Sequence, residues 1–105
     1  MTARIQLPSG ARRGEVIEVR ILIRHPMETG FRFDGDKPIP RNCINLLRCL
    51  YNGTEVFRAD LSSGIAANPY IQFTTIAEAS GELVFDWIDD EGVQGMERAA
   101  LLVSG

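Results

Sequence analysis

Apolar and polar residues alternate along most of this chain with a period of two. In "EVIEVRILIRH" Ile17, Val19, Ile21 and Ile23 share one parity, and Glu18, Arg20 and Arg24 share the other with Leu22 among them. Side chains of an extended segment point to opposite faces in turn, so this stretch predicts a half-buried strand. "ARIQL" sets Ile5 and Leu7 in the same rhythm ahead of it. "NCINLLRCLY" and "TEVFRADL" flank Asn52-Gly53, a strong hairpin signal because both turn positions take positive φ. "NPYIQFTTIA" predicts another strand, with Pro69 at its start where a missing N–H does little harm. "ELVFDWI" puts Leu83, Phe85 and Trp87 on one face, "DDEG" turns the chain, and "ERAALLV" fits a strand or a short helix. No segment keeps a 3.6-residue period with caps. The pattern predicts an all-β fold, an immunoglobulin-like antiparallel β-sandwich of about seven strands formed by residues 1–105 as a single domain. The Cys…Trp…Cys spacing of antibody domains is absent, so the prediction concerns architecture alone.

One strand breaks the alternation. In "NCINLLRCLY" Leu47, Cys49 and Tyr51 take one parity, while Ile44, Leu46 and Leu50 take the other. A two-layer sandwich gives each sheet a single inner face. The second apolar face, Ile44, Leu46 and Leu50, is therefore expected to meet a second subunit, or else residues 26–40 folded back over it. Those residues belong to an excursion, "HPMETGFRFDGDKPIPRN", which holds the chain's one histidine and three of its five prolines. His25 continues the parity of Ile17 to Ile23 and should point inward just before Pro26 enforces extended geometry. It reads as a hydrogen-bonded anchor for the loop, with a loop base that shapes a partner's docking site as the functional alternative.

Composition narrows the chemistry. Apolar residues make up 45% of the 105 positions and charged residues 24%, as in ordinary globular domains. No apolar run is long enough for a membrane helix. The start, "MTARIQLPSG", lacks a basic-then-apolar leader, which taken alone favours the cytoplasm. A net charge of −3 argues against a general nucleic-acid binder. Ten of the eleven Lys and Arg fall in residues 1–58, which leaves room for an anion- or glycan-binding sandwich. One histidine cannot supply a two-histidine copper site, and the cysteines lack the CxxC spacing of a zinc site. No nucleophile motif surrounds any serine or cysteine, so no catalytic, cofactor or metal residues are assigned. A metal-dependent redox protein remains the second alternative. Cys43 and Cys49 lie about 20 Å apart along an extended strand, too far for a bond to each other. Cys49 is expected to be buried, and Cys43, near the strand's start, is the candidate for a disulfide to another chain.

"RGEVIEV", "LIRHPMETGFRFDGDKPIPRNCIN", "YNGTEVFRADL", "ANPYIQF" and "GELVFDWIDDEG" occur in this order along most of the chain. Together they resemble the SoxZ family, the small subunit of the SoxYZ sulfur-carrier complex. The resemblance implies a non-enzymatic sandwich that pairs with SoxY, which carries pathway intermediates on a cysteine in a glycine-rich C-terminal arm and presents them to the enzymes of thiosulfate oxidation. This chain ends "AALLVSG", without that cysteine, as expected of the Z partner. The resemblance replaces the cytoplasmic expectation with the periplasm, reached by export together with a signal-bearing SoxY-like partner. The resemblance assigns no role to His25 or the cysteines; the excursion, with His25, Pro26, Met27, Glu28 and Arg32, is read as a recognition loop beside the subunit interface, open to transient contact with Sox pathway enzymes, with a structural histidine. No cofactor, nucleic acid or membrane contact is implied.

Overall fold

The computed structural model describes residues 3–28, 33–61 and 67–105. Every regular element among them is a strand: β1 (Ala3–Gln6), β2 (Ala11–Arg12), β3 (Val16–Ile23), β4 (Phe33–Asp34), β5 (Lys37–Pro38), β6 (Ile44–Tyr51), β7 (Thr54–Asp60), β8 (Tyr70–Ile76), β9 (Gly81–Asp89), β10 (Gln94–Leu101) and β11 (Val103–Ser104). The seven long strands are those expected from the alternation, and "ERAALLV" resolves as a strand. β1, β3 and β8 form an antiparallel three-stranded sheet in the order β1-β3-β8, and the larger sheet runs β10-β9-β6-β7. β11 closes the chain by pairing in parallel with β2, a contact that no local pattern announces.

The two sheets pack face to face, as an immunoglobulin-like sandwich requires. Ile17, Val19, Ile21 and Ile23 from β3 meet Leu47, Cys49, Tyr51, Leu83, Phe85 and Trp87 from β6 and β9 in one buried cluster. Phe73 bridges the layers, stacked on Phe57 at 4.3 Å and tilted against Phe85 at 6.0 Å. Aromatic pairs in such arrangements add to the energy of simple area burial. Asn52 and Gly53 take φ of 50° and 84°, as a two-residue hairpin with the right-handed strand twist demands.

Ile44 departs from expectation. It is fully buried in the core, not on the outer face with Leu46 and Leu50. The β6–β9 register shifts between Ile44 and Leu46, and such a bulge reverses the parity of residues on one side of it. The freed Ile44 N–H points at the Met27 sulfur, 3.3 Å away. A residue from the excursion thus occupies the bulge, and Ile44 turns inward beside it.

Candidate partner interface and the histidine-anchored loop

The outer face of the four-stranded sheet reads as rows of cross-strand neighbours. Leu46 pairs with Ile88, Arg48 with Asp86, and Leu50 with Val84. On the far side of β9 the same rows continue into Gln94, Met96 and Arg98. Leu46, Leu50, Val84 and Ile88 are half-buried, while Met96 is 58% exposed. At the centre, Arg48 donates to Asp86 through Nε (2.9 Å) and Nη2 (2.7 Å). This fork-to-fork pair fixes both side chains, and the Asp86 carboxylate raises the guanidinium pKa above its ordinary value. A depression of about 520 Å³ lies over Leu46, Arg48, Asp86, Ile88, Gln94 and Met96. The centre of the face is apolar around the Arg48–Asp86 pair, and charged residues rim it: Glu82 and Arg98 on one side, Asp60, Arg58 and Glu55 on the other. An apolar core with a polar rim is an arrangement common to protein-binding surfaces.

Val84, Ile88 and Met96 were not singled out from the sequence, although "ELVFDWID" is apolar on its second parity at Val84 and Ile88 in the way that "NLLRCLY" is at Leu46 and Leu50. Two neighbouring strands with this property mark a covered face better than one. Of the three residues assigned to the interface from sequence, Leu46 and Leu50 lie on this surface, and Ile44 lies beneath it.

His25 is 1% exposed, where the parity of β3 carries it inward. The Met27 N–H donates to its Nδ1 at 2.9 Å. An acceptor Nδ1 fixes the proton on Nε2, which faces Asp89 Oδ2 at 3.2 Å. Asp89 is itself 3% exposed and accepts the Glu91 and Val93 N–H groups on Oδ1, at 3.0 and 2.9 Å. One carboxylate therefore shapes the turn after β9 and holds the loop histidine. The His25 backbone joins in, since its N–H donates to Asn68 Oδ1 and its carbonyl accepts from Asn68 N–H. "HPM", "ANPY" and "DDEG", distant in sequence, meet here.

The neck of the loop is closed by Glu28 and Asn42, which exchange backbone bonds of 2.8 and 2.9 Å. Met27 takes φ of 49°, a left-handed conformation that costs a non-glycine residue about 1–2 kcal/mol. Its N–H bond to His25 and its sulfur's contact with Ile44 N–H offset that cost. Pro26 is exposed at the bend, and β4 and β5 form a short hairpin beyond the neck. Arg32 lies outside the described residues.

Asp90, next to the anchor, receives the Cys43 N–H at 2.9 Å and faces Arg41 Nε at 3.3 Å. The Cys43 N–H holds its carboxyl below the usual value, aided by the Asn45 side chain and, more weakly, by Arg41.

Both cysteines are free and fully buried. The Cys43 thiol donates to the Glu28 carbonyl at 3.2 Å. With no exposed surface it cannot reach another chain in this fold, which removes it as the inter-chain disulfide candidate. Its burial follows from the bulge, which places Cys43 and Ile44 inward in succession. Burial pushes the Cys49 thiol up to about 12, with a smaller contribution from the Asp86 charge. A thiol so protonated is a poor nucleophile. Both cysteines should resist alkylation in the native protein and label fully in denaturant, as read by intact mass. Fast native labelling at Cys49 would contradict this packing.

The arrangement defines a β-sandwich with a half-buried outer sheet face and a buried histidine held through both ring nitrogens. A family model described as sulphur oxidation protein SoxZ matches residues 5–100, nearly the whole chain. The chain belongs to the SoxZ family, and its role is that of a subunit of the SoxYZ complex of sulfur oxidation. No curated protein matches the sequence. Among solved structures, a superoxide reductase (neelaredoxin) from Ignicoccus hospitalis superposes with a TM-score of 0.77 at 19% identity, covering 99% of this chain and 81% of that one. A putative superoxide reductase from Thermotoga maritima gives 0.75 at 13%, covering 98% and 86%. The sulfur carrier protein SoxY from Chlorobium limicola f thiosulfatophilum gives 0.68 at 12%, covering 98% and 79%. At these identities the likeness carries the fold alone. The one histidine spends both ring nitrogens on protein partners, and among the described residues no three His, Cys, Asp or Glu side chains gather to hold an ion.

Proposed function

We propose that residues 1–105 act as one non-catalytic domain that packs against a SoxY-type carrier subunit through the outer face of β6, β9 and β10, and that the anchored loop offers pathway enzymes a fixed docking surface. The observation that carries the first part is the row structure of that face, where Leu46–Ile88 and Leu50–Val84 flank the Arg48–Asp86 pair. Both cysteines are sealed in the core, which favours a supporting role over that of a sulfur carrier. Membership of a sulfur-oxidation family supports the reading that the domain works in the periplasm, exported together with a signal-bearing partner. The net charge of −3 weighs against nucleic acid and anionic membrane surfaces as partners.

The test is co-expression with the SoxY-type partner. Leu46→Arg with Ile88→Arg puts two added charges and two bulky side chains into an interface expected to bury about 1,600 Å² in total. Copurification should be lost while the melting temperature of the isolated chain stays near wild type. Retained copurification would move the interface elsewhere.

A further inference from the structure

Three of the four outermost strands of the two sheets are guarded against accidental pairing, and one is not. β7 carries Glu55, Arg58 and Asp60 and pairs with β6 through an irregular register. β10 carries Glu97 and Arg98, and β1 is four residues long with Arg4 within it. Charges, bulges and shortness are the usual protections of a sheet edge. β8, "YIQFTTI", has none of them: seven residues without charge, proline or glycine. Among the described residues, no strand pairs with its side away from β3.

The ladder shows which groups are free. Ile23 N–H bonds to the Pro69 carbonyl and Ala77 N–H to the Glu15 carbonyl, one beyond each end of β8. Hydrogen-bonded pairs alternate in an antiparallel ladder, so Ile71, Phe73 and Thr75 turn their backbone toward β3. Tyr70, Gln72, Thr74 and Ile76 then present N–H and C=O groups to the open edge. Their side chains are the exposed ones, with Tyr70 at 52% and Ile76 at 51%.

This pattern is symmetric about Phe73. We infer that the β8 edge pairs with the β8 edge of a second copy of this chain, antiparallel about a twofold axis at Phe73, to join two three-stranded sheets into one. In that register Tyr70 lies opposite Ile76 of the other copy, and Gln72 lies opposite Thr74. All four free residues fall at hydrogen-bonded positions, where each pair exchanges two bonds, about eight in all. Aromatic–aliphatic and polar pairs meet their own kind, as favourable cross-strand neighbours do. Charge does not oppose it: Arg20 beside Gln72 and Glu18 beside Thr74 pair with each other within each copy, and the row that carries Arg20 in one copy carries Glu18 in the other. Like charges do not face each other across the seam. A single strand pair buries less than the roughly 1,200 Å² of a standard interface, so the association is concentration-dependent and not obligate. It uses the sheet opposite the proposed SoxY face, and it converts a heterodimer into a 2:2 assembly.

Sedimentation velocity over a wide concentration range, on the chain alone and on its complex with the partner, tests the inference. Self-association should weaken by about tenfold or more with Thr74→Lys, and likewise with Gln72→Lys, because each places a charge twice at the seam. Leu46→Arg with Ile88→Arg should leave it unchanged, which separates this surface from the heterodimer face. Amide exchange at Tyr70, Gln72, Thr74 and Ile76 should slow as concentration rises. Association indifferent to both lysine variants would overturn the inference, as would exchange at one rate at every concentration. Protection of the four amides in the dilute complex would assign the edge to the partner chain instead.

Discussion

Asp89→Asn, a change that keeps shape and removes one charge, should destabilise this protein by about 2–3 kcal/mol. The reason is a shortage of acceptors. Asp89 Oδ1 takes two backbone N–H groups, and Oδ2 faces the Nε2 of His25. An asparagine has one oxygen. Turned toward the turn, it points its amide N–H at a ring nitrogen that already carries a proton. Turned toward His25, it points its N–H at Glu91 and Val93. The imidazole cannot rescue the pair by moving its proton, because Nδ1 is occupied by the Met27 N–H. Donor faces donor in either case, in a site with almost no access to water. His25→Ala should cost a similar amount or more, since it strands a buried carboxylate and leaves the Met27 amide without an acceptor. The double variant His25→Ala with Asp89→Asn should be less unstable than the sum of the two, and urea unfolding of the four proteins measures the coupling. Additive losses would mean that the two side chains do not act as a pair. The same variants should loosen the loop neck, seen as faster exchange at the Glu28 and Asn42 amides, without altering chemistry carried by a partner's arm.

The ease of reading different parts of this fold from sequence tracks how local their causes are. Strand parity is set by neighbours along the chain, so Ile17 to Ile23 and Leu83 to Trp87 were assigned to the core without difficulty, and His25 followed by extension. The same extension from Leu83, Phe85 and Trp87 reaches Asp89, so the acid at core parity that faces the lone inward histidine is legible in the sequence as well. Ile44 could not be placed in this way. Its inward turn depends on a bulge stabilised by the sulfur of Met27, seventeen positions earlier, and no period reveals a residue inserted from another segment. The burial of Cys43 inherits that cause. The outer face was half legible: Leu46 and Leu50 came from one strand, but the surface exists only once β9 and β10 are known to lie beside β6. Similarly, the lack of charge in β8 is plain in the sequence, whereas its position at an edge is a fact of topology.

Gly95→Ala should be the most damaging small substitution on β10. Gly95 lies directly opposite Trp87 in the β9–β10 ladder. A Cβ added at Gly95 would fall 2.2 Å from the indole ring, far inside any non-bonded carbon–carbon contact. The ring covers the glycine as aromatic side chains often do beside a glycine in a neighbouring strand. Trp87 is 2% exposed and has core side chains on its other side, so it cannot simply retreat. Either the indole leaves its rotamer or β10 moves away from β9, and overpacking of this kind costs about 1–3 kcal/mol. Movement of β10 would also carry Gln94 and Met96 out of line with Ile88 and Asp86, the rows of the proposed SoxY face. Gly95→Ala is therefore expected to lower the melting temperature and to weaken partner binding together. Trp87→Phe removes part of the obstruction, so adding it to Gly95→Ala should recover stability that neither residue's single variant has. If Gly95→Ala melted like the wild type and bound its partner normally, the glycine would be incidental and β10 would have slack that its packing against Trp87 denies.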